Sequence, residues 1–74
     1  MGKLLAFKTE VESSNLKALE IIPTEKLMIV EFLNGTKYLY TNVDELDYDT
    51  IVQAESVGKA FNTFKKLGND YHKV

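Results

Sequence analysis

Four residues near the C-terminal third of the chain have types and spacing suited to holding an anion: Ser56, Gly58, Lys59 and Asn62. Ser56 is a residue type that caps helices, and the free backbone N–H groups at a helix start attract anions. Gly58 would let a phosphate approach the backbone, and Lys59 would add a positive charge. Asn62 lies one helical turn beyond Gly58. The group predicts a site for a nucleotide or phosphate. The alternative is structural: Ser56 caps the helix, and Gly58 allows the helix to pack closely against a neighbouring segment.

Tyr38 and Tyr40 form a second group, because they alternate along a strand-like segment. Paired aromatic rings can stack on nucleobases, and each stacked base contributes about 1–3 kcal/mol. The same rings could instead fill the core, with their hydroxyl groups reaching a partner at the sheet edge. Their role therefore depends on which face of the sheet they occupy, and they form an aromatic binding surface only if exposed.

The chain offers little for catalysis. It contains one histidine, His72, and no cysteine, so no set of nucleophile, base and orienting residue can be assembled. Asp44, Glu45, Asp47 and Asp49 could bind a cation, but their position at a predicted helix start explains them through the helix dipole. We expect a protein that is not an enzyme, with no catalytic residue, no cofactor and no metal site.

Size and charge narrow the class of protein further. A chain of 74 residues without disulfides has a thin core, which favours self-association as a homo-oligomer. The net charge is −2 and all nine basic residues are lysines, which disfavours extensive phosphate binding. No apolar segment approaches the roughly 20 residues that cross a bilayer, so we expect a cytoplasmic protein without a membrane partner.

The hairpin around Asn34-Gly35 must position the tyrosines, because Asn-Gly between two strand-like segments predicts a tight turn. A two-residue turn would place the tyrosines on the face opposite Val30. A three-residue turn with a bulge at the glycine would place Val30 opposite Tyr38 and Met28 opposite Tyr40. We favour the bulged turn, since it gathers these apolar and aromatic side chains on one face and predicts core positions for both tyrosines.

The bulged register leaves a second group of apolar residues on the other face: Ile29, Leu33 and Leu39. The second face of an antiparallel sheet is normally polar. These residues therefore predict an interface, covered by a second copy of the chain, by a protein partner or by the N-terminal segment.

The remaining segments predict an α+β domain spanning residues 1–74. Leu16–Ile22 has the alternation of a strand, Asn42 and Glu45 have the spacing of a capping box, and Ser56 begins a helix that stops near Gly68. The predicted fold is a three-stranded antiparallel β-meander followed by two α-helices packed on one face. Residues 1–10 would form an N-terminal arm or a short fourth strand.

The order of these features resembles the KTSC domain family, which also occurs at the C-terminus of some lysyl-tRNA synthetases. The resemblance covers residues 11–74 and rests on these positions: Ser13-Ser14-Asn15-Leu16, Leu27, Val30, Phe32, Asn34-Gly35, Tyr38, Tyr40, Val43, Ala54, Ser56, Gly58, Phe61-Asn62 and Tyr71. It implies a non-catalytic domain, with RNA suggested by the synthetase context. Leu39 stands where the family often has arginine, and Asp44-Glu45 where it has prolines, which weakens the case for RNA.

Two functional hypotheses follow. The first is a small binding module that holds a nucleotide or a short RNA phosphate at the start of the second helix, beside Tyr38 or Tyr40. The second, which would suit a phage or bacterial protein, is protein–protein interaction or a homo-oligomer that sequesters a ligand between subunits.

Overall fold

A computed structural model describes residues 6–74, which form one antiparallel sheet and two helices. In chain order the elements are β1 (Phe7–Glu10), β2 (Leu16–Ile22), β3 (Leu27–Phe32), β4 (Lys37–Tyr40), α1 (Glu45–Val52), α2 (Val57–Lys65) and β5 (Tyr71–Lys73). The predicted meander followed by two helices is confirmed, and β1 corresponds to the fourth strand that the sequence offers as an alternative to an arm. A further strand, β5, completes the sheet beyond the three or four strands that the sequence predicts. The predicted arm begins among residues 1–5, which lie outside the described residues.

Strand order in the sheet is the same as strand order in the chain. Each strand pairs antiparallel with the one before it. The connections within β1–β4 are short, whereas both helices lie between β4 and β5. The last strand therefore returns to the sheet edge after the chain has crossed one face.

The turn between β3 and β4 has the bulged form that the sequence favours. The backbone N–H of Gly35 donates to the Phe32 carbonyl at 2.9 Å, and the Phe32 N–H donates to the Thr36 carbonyl at 2.9 Å. Gly35 has φ +90°, a conformation that glycine adopts without steric cost. The side chain of Asn34 closes the turn by accepting from the Thr36 N–H at 3.0 Å.

The predicted register is confirmed: Val30 lies opposite Tyr38, and Met28 lies opposite Tyr40. One face of the sheet thus carries the apolar residues that pack beneath the helices. The buried core cluster comprises Leu16, Leu19, Ile21, Met28, Val30, Tyr40, Val43, Tyr48, Ile51, Val57, Phe61 and Phe64.

The starts of the two helices differ in how well the sequence predicted them. At α2, Ser56 is the N-cap, and its hydroxyl accepts from the Lys59 N–H at 3.3 Å. The predicted capping pair of Asn42 and Glu45 at α1 is wrong, because Asn42 has φ +57° and lies outside the helix. The N-cap there is Asp44, whose side chain makes no capping hydrogen bond.

Candidate functional site: an aromatic recess on the sheet

The helices leave one part of their sheet face open, over β3, β4 and β5. A recess of about 440 Å³ remains there. Its lining residues come from β3, the following turn, β4, the end of α2 and β5: Phe32, Asn34, Thr36, Tyr38, Tyr40, Lys65 and Tyr71. We refer to this group as the aromatic recess.

The rings of the aromatic recess hold one another in fixed orientations. Tyr40 and Tyr71 are stacked, with centroids 5.1 Å apart and planes at 25°. Tyr38 meets Tyr71 edge-to-face at 5.9 Å and 76°. Phe32 meets Tyr38 in the same way at 5.8 Å and 85°. These are the favourable geometries for aromatic pairs, so the walls are formed before any ligand arrives.

Tyr40 forms the floor of the recess and is only 4% exposed. Its ring packs against Phe61 at 5.7 Å and Phe64 at 5.6 Å. Within residues 6–74 no protein group hydrogen-bonds to its hydroxyl. Burial raises the pKa of this phenol, and the neighbouring Tyr71 and Tyr38 raise it further. The hydroxyl therefore stays protonated at neutral pH and is available to a ligand.

Tyr48 shows the contrasting arrangement of a structural tyrosine. Its hydroxyl hydrogen-bonds with the Thr9 hydroxyl and donates to the Leu19 carbonyl at 3.3 Å. These contacts join β1 and β2 to α1, which satisfies the polar group within the core. The Tyr40 hydroxyl differs from that of Tyr48, because it has no partner among residues 6–74 and opens to the recess, where water or a ligand can meet it.

Lys65 is the charged residue of the lining. Its ammonium group lies 5.4 Å from the centre of the Phe61 ring, a cation–π contact that holds it near the recess. Ion pairs in the described part of the chain join Lys17 to Glu31 and Lys26 to Asp44. Lys65 has no carboxylate partner there, so its charge is available to an anion.

The sequence-predicted anion group lies elsewhere on α2. Ser56 is engaged in its cap, and a Cβ at Gly58 would lie 3.3 Å from the Ser13 hydroxyl oxygen. Gly58 thus allows α2 to pack closely against the loop before β2. Lys59 and Asn62 are exposed, and neither lines the aromatic recess. The structure brings Tyr38 and Tyr40 together with Lys65 and Tyr71 instead.

Sequence reasoning did not assign Lys65 or Tyr71 to a site. Lys65 follows Phe61 by four residues, a spacing that places two side chains on the same helix face. Tyr71 is a lone aromatic residue in an extended segment. These were the available signals, but neither indicates contact with β4.

The face of the sheet away from the helices carries part of the predicted interface. Ile29 and Leu39 are cross-strand partners there, and both are half-buried. Leu33 lies in the turn after β3 and is 58% exposed. Oppositely charged residues flank the central pair, because Lys8 lies opposite Glu20 and Glu31 lies opposite Lys37. This open face is therefore apolar at its centre and charged around it.

No helix between residues 6 and 74 has the length and apolar character required to cross a bilayer. The same residues contain no group of three or more histidine, aspartate or glutamate side chains placed to hold a metal ion.

Comparison with protein-family models identifies one family. The family model of the KTSC domain matches residues 12–67. A protein of Tsukamurella paurometabola is 36% identical over 56 residues, which cover 76% of this chain and 84% of that protein. An uncharacterized protein of Stutzerimonas stutzeri is 31% identical over 68 residues, or 90% and 96% of the two chains.

A solved structure shows the same fold. The crystal structure of a KTSC domain protein from Yersinia pestis aligns with a TM-score of 0.83 and 22% sequence identity. The alignment covers 95% of this chain and 99% of that chain. The five-stranded sheet with two helices is thus shared over almost the whole length of both proteins.

Proposed function

The chain belongs to the KTSC domain family, and we propose that it is a small non-catalytic module that binds a nucleotide or a short RNA segment in the aromatic recess. One observation carries the proposal. The recess combines aromatic walls with the hydroxyl of Tyr40, a residue only 4% exposed, and the ammonium of Lys65. Among residues 6–74 the hydroxyl has no hydrogen-bond partner and the ammonium has no carboxylate partner.

This combination suits a ligand that has both a planar ring and a negative charge. Ring stacking on an aromatic side chain contributes about 1–3 kcal/mol per base. The Lys65 ammonium and the phenol hydroxyl of Tyr40 are hydrogen-bond donors to phosphate oxygens. A volume of about 440 Å³ falls within the range of about 300–1,000 Å³ that small-molecule sites occupy.

The proposal places the phosphate at Lys65, and the group at the start of α2 remains the competing position. From Ser56 to Lys65 the helix rises about 13 Å, so substitutions can distinguish the two. The cap of α2 and the contact between Gly58 and Ser13 give Ser56 and Gly58 structural roles. The Tyr40 hydroxyl and the Lys65 ammonium, in contrast, have no hydrogen-bond or carboxylate partner among residues 6–74.

A titration with matched lysine variants tests this function. The probe is a fluorescently labelled single-stranded hexaribonucleotide, followed by anisotropy and competed with unlabelled ribonucleoside monophosphates. We expect Lys65→Glu to weaken binding at least about tenfold, equivalent to about 1.4 kcal/mol. Lys59→Glu makes the same charge change on the same helix, but Lys59 does not line the recess, so this variant should leave affinity within about twofold of wild type.

The opposite pattern would move the phosphate to the start of α2. A loss with Lys59→Glu and Ser56→Ala, but not with Lys65→Glu, would restore the anion site predicted from the sequence. Absence of binding by the wild-type protein to every probe would contradict the proposed function.

A second candidate function is association through the open face, either with another copy of the chain or with a protein partner. It is favoured by the half-buried Ile29 and Leu39 pair at the centre of that face. Light scattering after size-exclusion chromatography would give the oligomeric state at low and high salt. We expect Ile29→Lys to dissociate an assembly that survives high salt, whereas Lys37→Glu at the rim should not. A monomeric wild-type protein would exclude self-association.

A further inference from the structure

We infer that the aromatic recess accepts one nucleotide unit, with its base against the exposed ring of Tyr71 and its own phosphate at Lys65, and not a run of stacked bases. This inference rests on the proposed function of the recess and specifies the ligand further. It concerns how many nucleotides contact the protein and which groups of each are recognised.

The orientation of the rings limits stacking to one base. Successive stacked bases have parallel planes and need a continuous surface of ring faces. Here Phe32 is turned 85° from Tyr38, and Tyr38 is turned 76° from Tyr71. The parallel pair, Tyr40 and Tyr71, offers no second position, because Tyr40 is buried beneath Tyr71 and α2. Tyr71 is 59% exposed and stacks on Tyr40 on one side, so a base would stack on the opposite side of its ring.

The polar groups of the recess match a single phosphate and one base edge. Lys65 is the one cation in the lining. The contact of its ammonium group with the Phe61 ring limits how far that group can reach along a phosphate chain. Asn34 uses its side-chain oxygen on the Thr36 N–H, which leaves its amide N–H groups as donors to a ligand. The ammonium of Lys65, the phenol of Tyr40 and the amide of Asn34 are sufficient to meet one phosphate and one base edge.

The charges around the recess also support binding of a single nucleotide. An extended RNA path requires several cations that neutralise successive phosphates. Lys73 lies opposite Tyr38 on the edge strand, and Lys66 follows Lys65 at the end of α2. Neither lines the recess. The protein as a whole has net charge −2 and no arginine, so charges beyond the recess do not favour a longer strand.

Length and salt dependence of binding test the inference directly. The wild-type protein is titrated by calorimetry with adenosine, with each ribonucleoside 5′-monophosphate and with oligoadenylates up to the hexamer, at several salt concentrations. We expect the association constant, divided by the number of nucleotides in the ligand, to stay constant as the oligoadenylate lengthens. Adenosine should bind at least about tenfold more weakly than its monophosphate. The slope of log affinity against log salt should be about −0.7, the value for one phosphate of a single strand.

Variants of neighbouring strand residues test the contribution of the base. Tyr71→Ala removes the exposed ring and should weaken monophosphate binding at least about fivefold, within the range of one stacked base. His72→Ala is the matched control, because successive strand residues point to opposite faces and His72 lies opposite Leu39 on the open face. Circular dichroism shows whether each variant remains folded. If Tyr71→Ala unfolds the protein, Lys65→Gln still tests the phosphate contact.

The outcomes separate this inference from the proposed function. Affinity per nucleotide that rises steeply with length, together with a salt slope of several units, would overturn the single-nucleotide site while leaving RNA binding intact. Equal binding of adenosine and its monophosphate would overturn the role of Lys65 as the phosphate contact. Absence of binding to every probe would overturn both proposals.

Discussion

Tyr40 and Tyr71 stack with their ring centroids 5.1 Å apart, although one lies in β4 and the other in the strand that follows both helices. The contact joins the buried floor of the aromatic recess to its exposed wall. The site is therefore a product of β4–β5 pairing as much as of the hairpin that carries Tyr38 and Tyr40.

Replacing Tyr71 should cost stability as well as affinity. An aromatic pair contributes about 0.5–1.5 kcal/mol beyond its buried area, and Tyr71 also meets Tyr38 edge-to-face. We expect Tyr71→Ala to lower the free energy of unfolding by about 1–2 kcal/mol in urea denaturation. His72→Ala should change it by less than about 0.5 kcal/mol. Equal effects of the two substitutions would show that the stacked pair contributes nothing measurable.

The hydroxyl groups of Tyr40 and Tyr48 should respond differently to removal. Tyr48→Phe deletes the hydrogen bonds to Thr9 and Leu19, so we expect a loss of about 1–3 kcal/mol in the free energy of unfolding. Tyr40→Phe deletes a hydroxyl without a partner among residues 6–74 and should change stability by less than about 0.5 kcal/mol. Urea denaturation of both variants measures the difference. A larger loss at Tyr40 would mean that its hydroxyl is bonded within the folded protein.

Alkaline titration should reveal the environment of Tyr40. Its pKa is raised above the ordinary tyrosine value of 10.0, first by burial and then by the neighbouring Tyr71 and Tyr38. The folded protein holds this proton more tightly than the unfolded chain. The contribution to stability is thus complete below pH 10 and is lost as pH rises through the folded pKa.

We therefore expect the free energy of unfolding of the wild-type protein to fall more steeply than that of Tyr40→Phe as the pH rises above about 10. Lysines that titrate in the same range are present in both proteins, so the difference between the two profiles isolates Tyr40. Parallel profiles would indicate that the phenol ionises as freely in the folded state as in the unfolded chain.

Gly58 should show energetic coupling to Ser13. Alanine is favoured over glycine in a helix by about 1 kcal/mol, but a Cβ at position 58 would lie 3.3 Å from the Ser13 hydroxyl oxygen. We expect Gly58→Ala alone to raise the free energy of unfolding by less than that amount. The full increase should appear when Ser13→Ala is also present. A double-mutant cycle in urea measures the coupling. Additive effects would show that the loop and helix do not constrain each other.

Much of the fold was predictable because it depends on local signals. The Asn34-Gly35 turn and the apolar residues on either side of it specify one register, and Val30 lies opposite Tyr38 as expected. Ser56 was predictable for the same reason, since a cap acts within one helical turn. The start of α1 was not, because Asn42 adopts a left-handed conformation that the capping-box spacing does not reveal.

The aromatic recess was only half predictable. Tyr38 and Tyr40 were identified from their alternation, but Lys65 and Tyr71 reach them through contacts between distant segments. The reason for Gly58 also lies outside its own helix, at Ser13. Such contacts depend on how α2 and β5 dock on the sheet, and a single sequence does not specify docking through composition or periodicity.

The chain-order topology of the sheet has a consequence for how the protein folds and opens. Pairings among β1–β4 close short loops, whereas joining β5 to β4 closes a loop that contains both helices. The entropic cost of closure grows with loop length, and non-local pairings form more slowly than local ones. We expect amide hydrogens of β4 that bond to β5 to exchange faster than those between β2 and β3. Occupancy of the recess would slow that exchange selectively, because the ligand stabilises the state in which the last strand has joined the sheet.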